Sequence, residues 1–421
     1  MNDVYLPNPL SNPASDRANA PPVYLDNQAS TPVDPRVLEA MLPYFTIDYG
    51  NPHSESHAYG HRAMAAVDQA RGEIASLIHA DPREIVFTSG ATEANNLAIK
   101  GAAHFAREHP TGGGPQDRPR DHIVTLTTEH KCVLESCAAL EREGFSVTYL
   151  PVAESGRVDL AALQAALSER TLLVSIMAAH NEIGIIQPLA EIGALCRARG
   201  VLFHTDAAQA LGKIPLDVEA MKIDLMSLSG HKLYGPKGVG ALYVRRRPRV
   251  RLVPLIDGGG QERGLRSGTL PTPLCVGFGK ACAIARDEMA GEAVRLKGLR
   301  ERLQAGLAGR VPGLLVNGDL DHRLPGSLNV SVPGTTAPEM IEACSSIAIS
   351  TGSACTSASV EPSYVLRALG LSDARANASI RLGLGRFTTP ADIDYAVDAI
   401  VAAAARLRHR DQVKSSGGTT T

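Results

Sequence analysis

Short apolar runs alternate with longer stretches of helical spacing along most of the chain. Glu84-Ile-Val-Phe-Thr88, Ile123-Val-Thr-Leu-Thr127, Leu172-Leu-Val-Ser-Ile-Met177, Val201-Leu-Phe-His-Thr-Asp206 and Asp224-Leu-Met-Ser-Leu-Ser229 read as buried strands that end in polar residues. Helical stretches such as 188–199 lie between such runs, which predicts an α/β fold with a mostly parallel sheet covered on both faces. Ligands collect at the carboxyl ends of the strands in such sheets, and the polar motifs of this chain fall there. A helix is also signalled at Asp34-Pro35, where proline suits the first turn, and another near Glu93. Past Pro271 the pattern changes to a long amphipathic helix over about 274–310, then to Leu328-Asn-Val-Ser-Val332, a strand of a smaller α+β unit. The expected organisation is a flexible extension over 1–22, a large domain over 23–275, a smaller domain over 276–408 with the segment near 23–36 packed on it, and a flexible tail over 409–421. Residues 108–121, with Gly112-Gly-Gly-Pro115, read as a lengthened surface loop.

Composition narrows the class. At 421 residues and 44% hydrophobic the chain has the material for two cores, since single cores rarely grow past ~300 residues. A formal net charge of −2 gives no sign of a nucleic-acid or anionic-membrane partner. No apolar run reaches the ~18 residues of a membrane helix, and the N-terminus lacks a basic segment followed by an apolar one, so the cytoplasm is the expected location. Seven cysteines without paired spacing argue for reduced thiols over a disulfide framework or a zinc site. The cationic run Arg245-Arg-Arg-Pro-Arg-Val-Arg251 reads as a solvated edge before it reads as a contact for an acidic partner.

The chemistry centres on Lys232. The strand ending at Ser229 is followed by Gly230, which lets the backbone turn, and His231, so Lys232 stands where a loop leaves a strand. A lysine pushed towards the interior there loses hydration, its pKa falls, and its amine becomes a nucleophile towards an aldehyde such as that of pyridoxal phosphate (PLP). Asp206 tips another strand and suits the protonated pyridine nitrogen of that cofactor. Either residue alone is as readily a surface lysine or a helix cap. Ser89-Gly-Ala-Thr92 joins a strand to a helix start, where free N–H groups and the helix dipole favour a phosphate, although the same residues also cap ordinary helices. His130 at a strand end has the pKa range for proton transfer and a flat ring for stacking, though a lone histidine is more often structural. Arg381, on the short strand Ser379-Ile-Arg381, has a guanidinium fork that matches a carboxylate. Ser350 to Glu361 surrounds Cys355 with Ser, Thr, Gly and Ala and almost no large side chain, which describes an exposed mobile loop. The other six cysteines, Cys132, Cys137, Cys196, Cys275, Cys282 and Cys344, read as small buried hydrophobes.

Seven motifs then carry a resemblance. Thr88-Ser-Gly-Ala-Thr-Glu-Ala-Asn-Asn96, Thr128-Glu-His-Lys131, His180-Asn-Glu-Ile-Gly184, His204-Thr-Asp-Ala-Ala-Gln209, Ser229-Gly-His-Lys232, Arg266-Ser-Gly-Thr-Leu-Pro271 and Ser350-Thr-Gly-Ser-Ala-Cys-Thr-Ser357 stand in the order found in cysteine desulfurases of the IscS/NifS family. The chain resembles the group of that family with a long cysteine loop, from about Val23 to Arg408. The resemblance implies a PLP-dependent transferase fold of type I, with a mostly parallel seven-stranded sheet in the large, cofactor-binding domain and a smaller α+β domain carrying the cysteine loop. It implies that Ala91, Thr92, Ser229, Gly230 and His231 bind the cofactor's phosphate, joined by Thr269 from the neighbouring subunit of a homodimer. By the same resemblance His130 stacks on the ring, Asn181 and Gln209 reach the phenolic oxygen, Asp206 holds the ring nitrogen and Lys232 carries the cofactor. Asn181 and Arg381 orient the substrate's carboxylate. Where the family commonly reads an aromatic residue and Ser-Ala-Thr-Thr-Pro, this chain has Asn27-Gln-Ala-Ser-Thr-Pro32, and His180 stands where Asn is more frequent.

The implied reaction converts L-cysteine to L-alanine, with Lys232 and His130 moving protons and Cys355 taking the sulfur as a persulfide for iron–sulfur assembly or tRNA thiolation. No resident metal is expected, only Cys355 as a transient iron–sulfur ligand. Relatives end in a longer apolar tail that docks an iron–sulfur scaffold, whereas this chain reads Lys414-Ser-Ser-Gly-Gly-Thr-Thr-Thr421, so a different acceptor is an open expectation. Two other readings stay open at this point. An aminotransferase or selenocysteine lyase would work without a nucleophilic cysteine, and a non-catalytic sulfur-relay or scaffold protein would lack the yellow chromophore.

Overall fold

The computed structural model describes residues 21–110, 120–351 and 362–416. The chain opens with β1 (Val23–Tyr24), α1 (Pro35–Met41), α2 (Pro43–Thr46) and α3 (Ala58–Leu77). Asp34 caps α1 through a bond from Arg36 N, and Pro35 takes the first turn, as its fixed φ and missing N–H allow. The apolar runs then become β2 (Ile85–Thr88), β3 (His122–Leu126), β4 (Ser146–Leu150), β5 (Thr171–Ser175), β6 (Leu202–Asp206), β7 (Leu225–Ser229) and β8 (Gly240–Val244). Between them lie α4 (Ala91–Glu108), α5 (Lys131–Arg142), α6 (Leu160–Ala166) and α7 (Leu189–Ala198).

These strands form one seven-stranded sheet in the order β2-β8-β7-β6-β5-β3-β4. β8 runs antiparallel to both neighbours and the remaining pairs are parallel. The α/β class and the mostly parallel sheet expected from the pattern are what the molecule has. Consecutive residues take opposite faces, as the strand period of two requires. Val86, Ile123, Leu173 and Leu225 pack with Leu97 and Ile99 of α4 and Val133 and Leu140 of α5. Phe87, Val124, Val174 and Met226 face the other way, onto Val67 and Ile74 of α3. With helices on both faces, every residue of β2, β5, β7 and β8 is buried.

The rest of the chain is α8 (Thr272–Ala308), β9 (Leu315–Val316), β10 (Ser327–Ser331), α9 (Ala337–Ala343), β11 (Ile347–Ala348), α10 (Tyr364–Ala368), α11 (Asp373–Asn377), β12 (Ser379–Gly383) and α12 (Pro390–Ser416). β12, β10 and β9 make an antiparallel sheet whose core gathers Leu328, Val330, Ile380 and Leu382 with Ile393 and Ile400 of α12. The α8 helix serves both cores, because its 37 residues span roughly 55 Å at 1.5 Å per residue. Cys275, Phe278 and Cys282 lie in the main core and Leu299, Leu303 and Leu307 in the second. The chain start also joins the second core, since β1 pairs in parallel with β11 and Leu25 is fully buried there. Among the described residues no helix is long and apolar enough to cross a membrane.

Candidate active site

Two glycines bring the first part of the site together. Ser229, the last residue of β7, pairs with Gly240 at the start of β8. A Cβ on Gly240 would stand 2.7 Å from Gly90 Cα, so only glycine lets the start of α4 lie against this strand end. Gly90 itself has φ +153°, and a Cβ built on it meets nothing within 4 Å. No side chain caps the 18-residue α4. The N–H groups around Ala91 and Thr92 therefore open onto free space beside Ser229, Gly230 and His231, with the positive end of the helix dipole behind them. Burial pushes the His231 imidazole down to about 4, helped by the charges of Lys232, Lys237 and Lys213, so it meets an anion as a neutral group. His231 Nδ1 lies 3.2 Å from Ser30 Oγ.

Lys232 is half-buried, and its Nζ donates to the carbonyls of Gln28 and Ala29, both at 2.6 Å. Gln28 O also accepts from Gln209 Nε2 at 2.9 Å, and Gln209 Oε1 accepts from Lys213 Nζ at 3.1 Å. Four residues thus tie the amine to the segment after β6. Lys213 lies four positions beyond Gln209, outside the expected set. Burial, then the nearby charge of Lys232, brings Lys213 down to about 7.

Asp206 closes β6 and is 7% exposed. It accepts from Asn95 Nδ2 at 2.7 Å and from Ala208 N at 2.9 Å, and no arginine or lysine among the described residues pairs with it. Asn95 is fully buried, and its Oδ1 has no partner. The same Asn95 amide lies 3.0 Å from Cys132 Sγ, which stands 2.9 Å from His130 Nδ1. His130 caps α5, its Nδ1 accepting from Cys132 N at 3.2 Å, which assigns the ring proton to Nε2. Burial lowers the His130 pKa; the charge of Asp206 opposes this shift, and those of Lys232 and Lys131 add to it. Cys132, read from the sequence as a small buried hydrophobe, is part-buried and also has polar neighbours in Asn95 and His130. It occupies the second position of α5 and faces the capping ring, and burial pushes its thiol up to about 12, so it stays protonated.

These features fit PLP. A buried carboxylate that no arginine or lysine among the described residues pairs with suits a protonated ring nitrogen, an uncapped helix start suits a phosphate, and the amine follows a neighbouring strand end.

Arg381, on β12, reaches the same region from the second core. Its NH1 donates to Asn181 O at 3.0 Å and its NH2 to Asp26 Oδ1 at 2.7 Å, while its buried Nε has no partner. Asp26 also accepts from Ser350 Oγ at 3.0 Å. Asp26 is a residue that sequence reasoning did not single out, although Val23-Tyr-Leu-Asp26 ends as a strand tipped by a carboxylate. On the other side, Ser363 Oγ donates to Glu182 Oε2 at 2.7 Å and Tyr364 OH to Glu129 O at 2.6 Å. Ser350 and Ser363 thus anchor the chain next to Arg381 and Glu182, and Cys355, between them, lies outside the described residues. His180 is buried against Thr128 O at 2.8 Å and held down to about 4 by burial, which is a structural placement. Thr269 stands exposed on the segment that Arg266 ties to Glu93 at the α4 start, and the structure of one chain does not bring it into the cluster.

Comparison with known proteins agrees with this geometry. The model of the aminotransferase class-V family matches residues 23–396. Human cysteine desulfurase is 56% identical over 407 residues, covering 95% of this chain and 87% of the human protein. Cysteine desulfurase IscS of Rickettsia typhi is 55% identical over 387 residues, 92% of each chain. The solved structure of SspA in complex with cysteine superposes with a TM-score of 0.74 at 41% identity, covering 87% of this chain and 100% of that one. A buried carboxylate, an amine and an uncapped helix start at the strand ends of this sheet, in a sequence this similar over its length, place the chain in the aminotransferase class-V family, among its PLP-dependent cysteine desulfurases.

Proposed function

We propose that this chain takes L-cysteine, releases L-alanine and keeps the sulfur as a persulfide on Cys355. The balance is L-cysteine plus the Cys355 thiol giving L-alanine plus the Cys355 persulfide: the new S–S bond replaces the substrate's C–S bond, and the carbon gains a proton. The observation that carries the reading is the buried Asp206 carboxylate at the end of β6 and the Lys232 amine just past the end of the adjacent β7, with no side-chain cap on the α4 start.

PLP, when bound, supplies an electron sink for the carbon next to the substrate nitrogen. Ala91, Thr92, Ser229, Gly230 and His231 would hold its phosphate, with Thr269 supplied by a second copy in a homodimer. Asp206 would hold the ring nitrogen, Asn181 and Gln209 the phenolic oxygen, and His130 the face of the ring. Lys232 Nζ would hold the cofactor and, as a free amine, would take and return the proton on the substrate's α-carbon. His130 Nε2 is the ring nitrogen available for proton transfer, since Nδ1 is engaged by Cys132. Arg381 would grip the substrate carboxylate with its guanidinium, and Asn181 would help orient it.

In this reading residues 23–275 bind the cofactor and residues 276–408 carry Cys355. The persulfide passes to an iron–sulfur scaffold or a tRNA-thiolating acceptor, with Cys355 as a transient cluster ligand, and the protein works in the cytoplasm. Support for iron–sulfur delivery comes from the relatives named IscS.

The test is alanine and sulfide release by wild type and Cys355→Ala. The variant is expected to keep its yellow chromophore and lose alanine formation by about two orders of magnitude or more, as removal of a nucleophile does. Undiminished alanine release would overturn the persulfide step. Borohydride trapping and peptide mapping should label Lys232; a label elsewhere would overturn its role.

A further inference from the structure

Past Asp206 the chain closes into helix-like turns. Leu211 N donates to Ala207 O at 2.9 Å and Ile214 N to Ala210 O at 3.2 Å, the four-residue spacing of an α-helix. Gln209 and Lys213, four positions apart, therefore share one side of this segment, and the part-buried Lys213 donates from Nζ to Gln209 Oε1 at 3.1 Å. At the other end of the same amide, Gln209 Nε2 donates to Gln28 O at 2.9 Å, the carbonyl that also accepts from Lys232 Nζ at 2.6 Å. Gln209 itself is buried. Around Lys213, burial works most against its charge, Lys232 and Arg381 add to that, and Glu292 opposes them.

An amide side chain carries a donor at one end and an acceptor at the other, and the two ends have nearly the same shape. Hydrogen-bond partners, not packing, therefore decide which end faces the cofactor. An ammonium has no acceptor and a carbonyl has no donor, so Lys213 and Gln28 O assign the same orientation, with the oxygen on Lys213 and the nitrogen on the Lys232 side. One N–H of Gln209 Nε2 goes to Gln28 O, and the second is left to give. We propose that Lys213 is a positioning residue: its bond to Gln209 Oε1 keeps the Gln209 nitrogen turned to the cofactor's phenolic oxygen, so that Gln209 meets that oxygen as a donor. The bond survives loss of the Lys213 proton, since a neutral amine still has N–H groups to donate. Without Lys213, the buried Oε1 loses the one donor it has among the described residues, and an unpaired buried acceptor is unfavourable enough to turn the amide round. A donor favours the phenolic oxygen as an anion; with it gone, the yellow chromophore holds its proton to higher pH. The inference rests on the functional reading that brings Gln209 to the phenolic oxygen.

The test uses the cofactor-loaded full chain and reads absorbance, not turnover. Visible spectra are followed between about pH 5 and 10 in wild type, Lys213→Met, Gln209→Leu and the double variant. Lys213→Met is expected to raise the midpoint at which the yellow band is lost by about one pH unit, the scale of one hydrogen bond to a charged oxygen. Gln209→Leu should raise it as far, and the double variant no further, since both changes remove the same interaction. A shift by Lys213→Met that is as large in the Gln209→Leu background marks an effect of charge alone and overturns the proposal. So does a midpoint raised by Gln209→Leu but not by Lys213→Met. A midpoint not raised by Gln209→Leu takes Gln209 off the phenolic oxygen; that is a failure of the functional reading, and the proposal falls with it. Should Lys213→Met fail to fold, a neutron structure of the loaded wild type locates the amide deuterons. They are expected on the Gln209 atom facing Gln28 O, and deuterons on the atom facing Lys213 overturn the proposal.

Discussion

Asn95 joins Asp206 to Cys132, and through Cys132 to His130, yet it sits within a motif read only for its phosphate-binding end. Lys232, Asp206 and His130 were singled out because each follows a strand or turn whose pattern is local, and Gln209 through the family resemblance. Asn95 was not, because its partners come from β6 and α5, 111 and 37 positions away. His204 makes the same point at one residue. Its ring lies between Ser175 Oγ at 2.8 Å and Ser227 Oγ at 3.0 Å, on the two strands flanking β6. It is fully buried, and that burial brings its pKa down to about 3. The folded chain therefore keeps it neutral, while the unfolded chain takes up a proton below about pH 6.5. The sign follows: this contribution to stability is intact above about pH 6.5 and falls by up to ~1.4 kcal/mol per pH unit as the pH drops towards 3. His204→Asn should flatten the dependence of the urea midpoint on pH between 7 and 5, and an unchanged slope would refute the assignment.

Among the elements, the segment 256–270 depends on a buried ion pair that no local pattern announces. Arg71 of α3 grips both carboxylate oxygens of Glu262 at 2.7 and 2.8 Å, and Glu262 also accepts from Phe87 N of β2 at 2.7 Å. Glu262 and Arg263 take positive φ values of 49° and 58°, an uncommon conformation for side-chain-bearing residues that this pairing holds in place. Glu262→Ala leaves Arg71 buried without its partner, and a loss of ~3–5 kcal/mol in chemical denaturation is expected. Arg71→Met together with Glu262→Leu should recover much of that loss. If the double variant is as unstable as the single one, the charge is not what fixes the segment. Strand and helix boundaries, by contrast, were read to within a few residues, because continuous apolar runs and prolines at helix starts are local signals. The helix expected over 274–310 runs Thr272–Ala308.

For the whole molecule, the homodimer expectation rests on Thr269, exposed on one chain and proposed to complete the site of another. Light scattering is expected to give twice the 44.4 kDa of a single chain, and a fully active monomer would remove Thr269 from the site. Five of the seven strands of the main sheet, their burial and the seven motif positions followed from the sequence itself, since apolar spacing and turn residues act over a few neighbours; β4 and β8 did not. What only tertiary structure decided is which distant groups meet: Asp26 on Arg381 and Cys132 against His130. Those pairings depend on strand order and on where α8 crosses from one core to the other, and neither is written in any local stretch of residues.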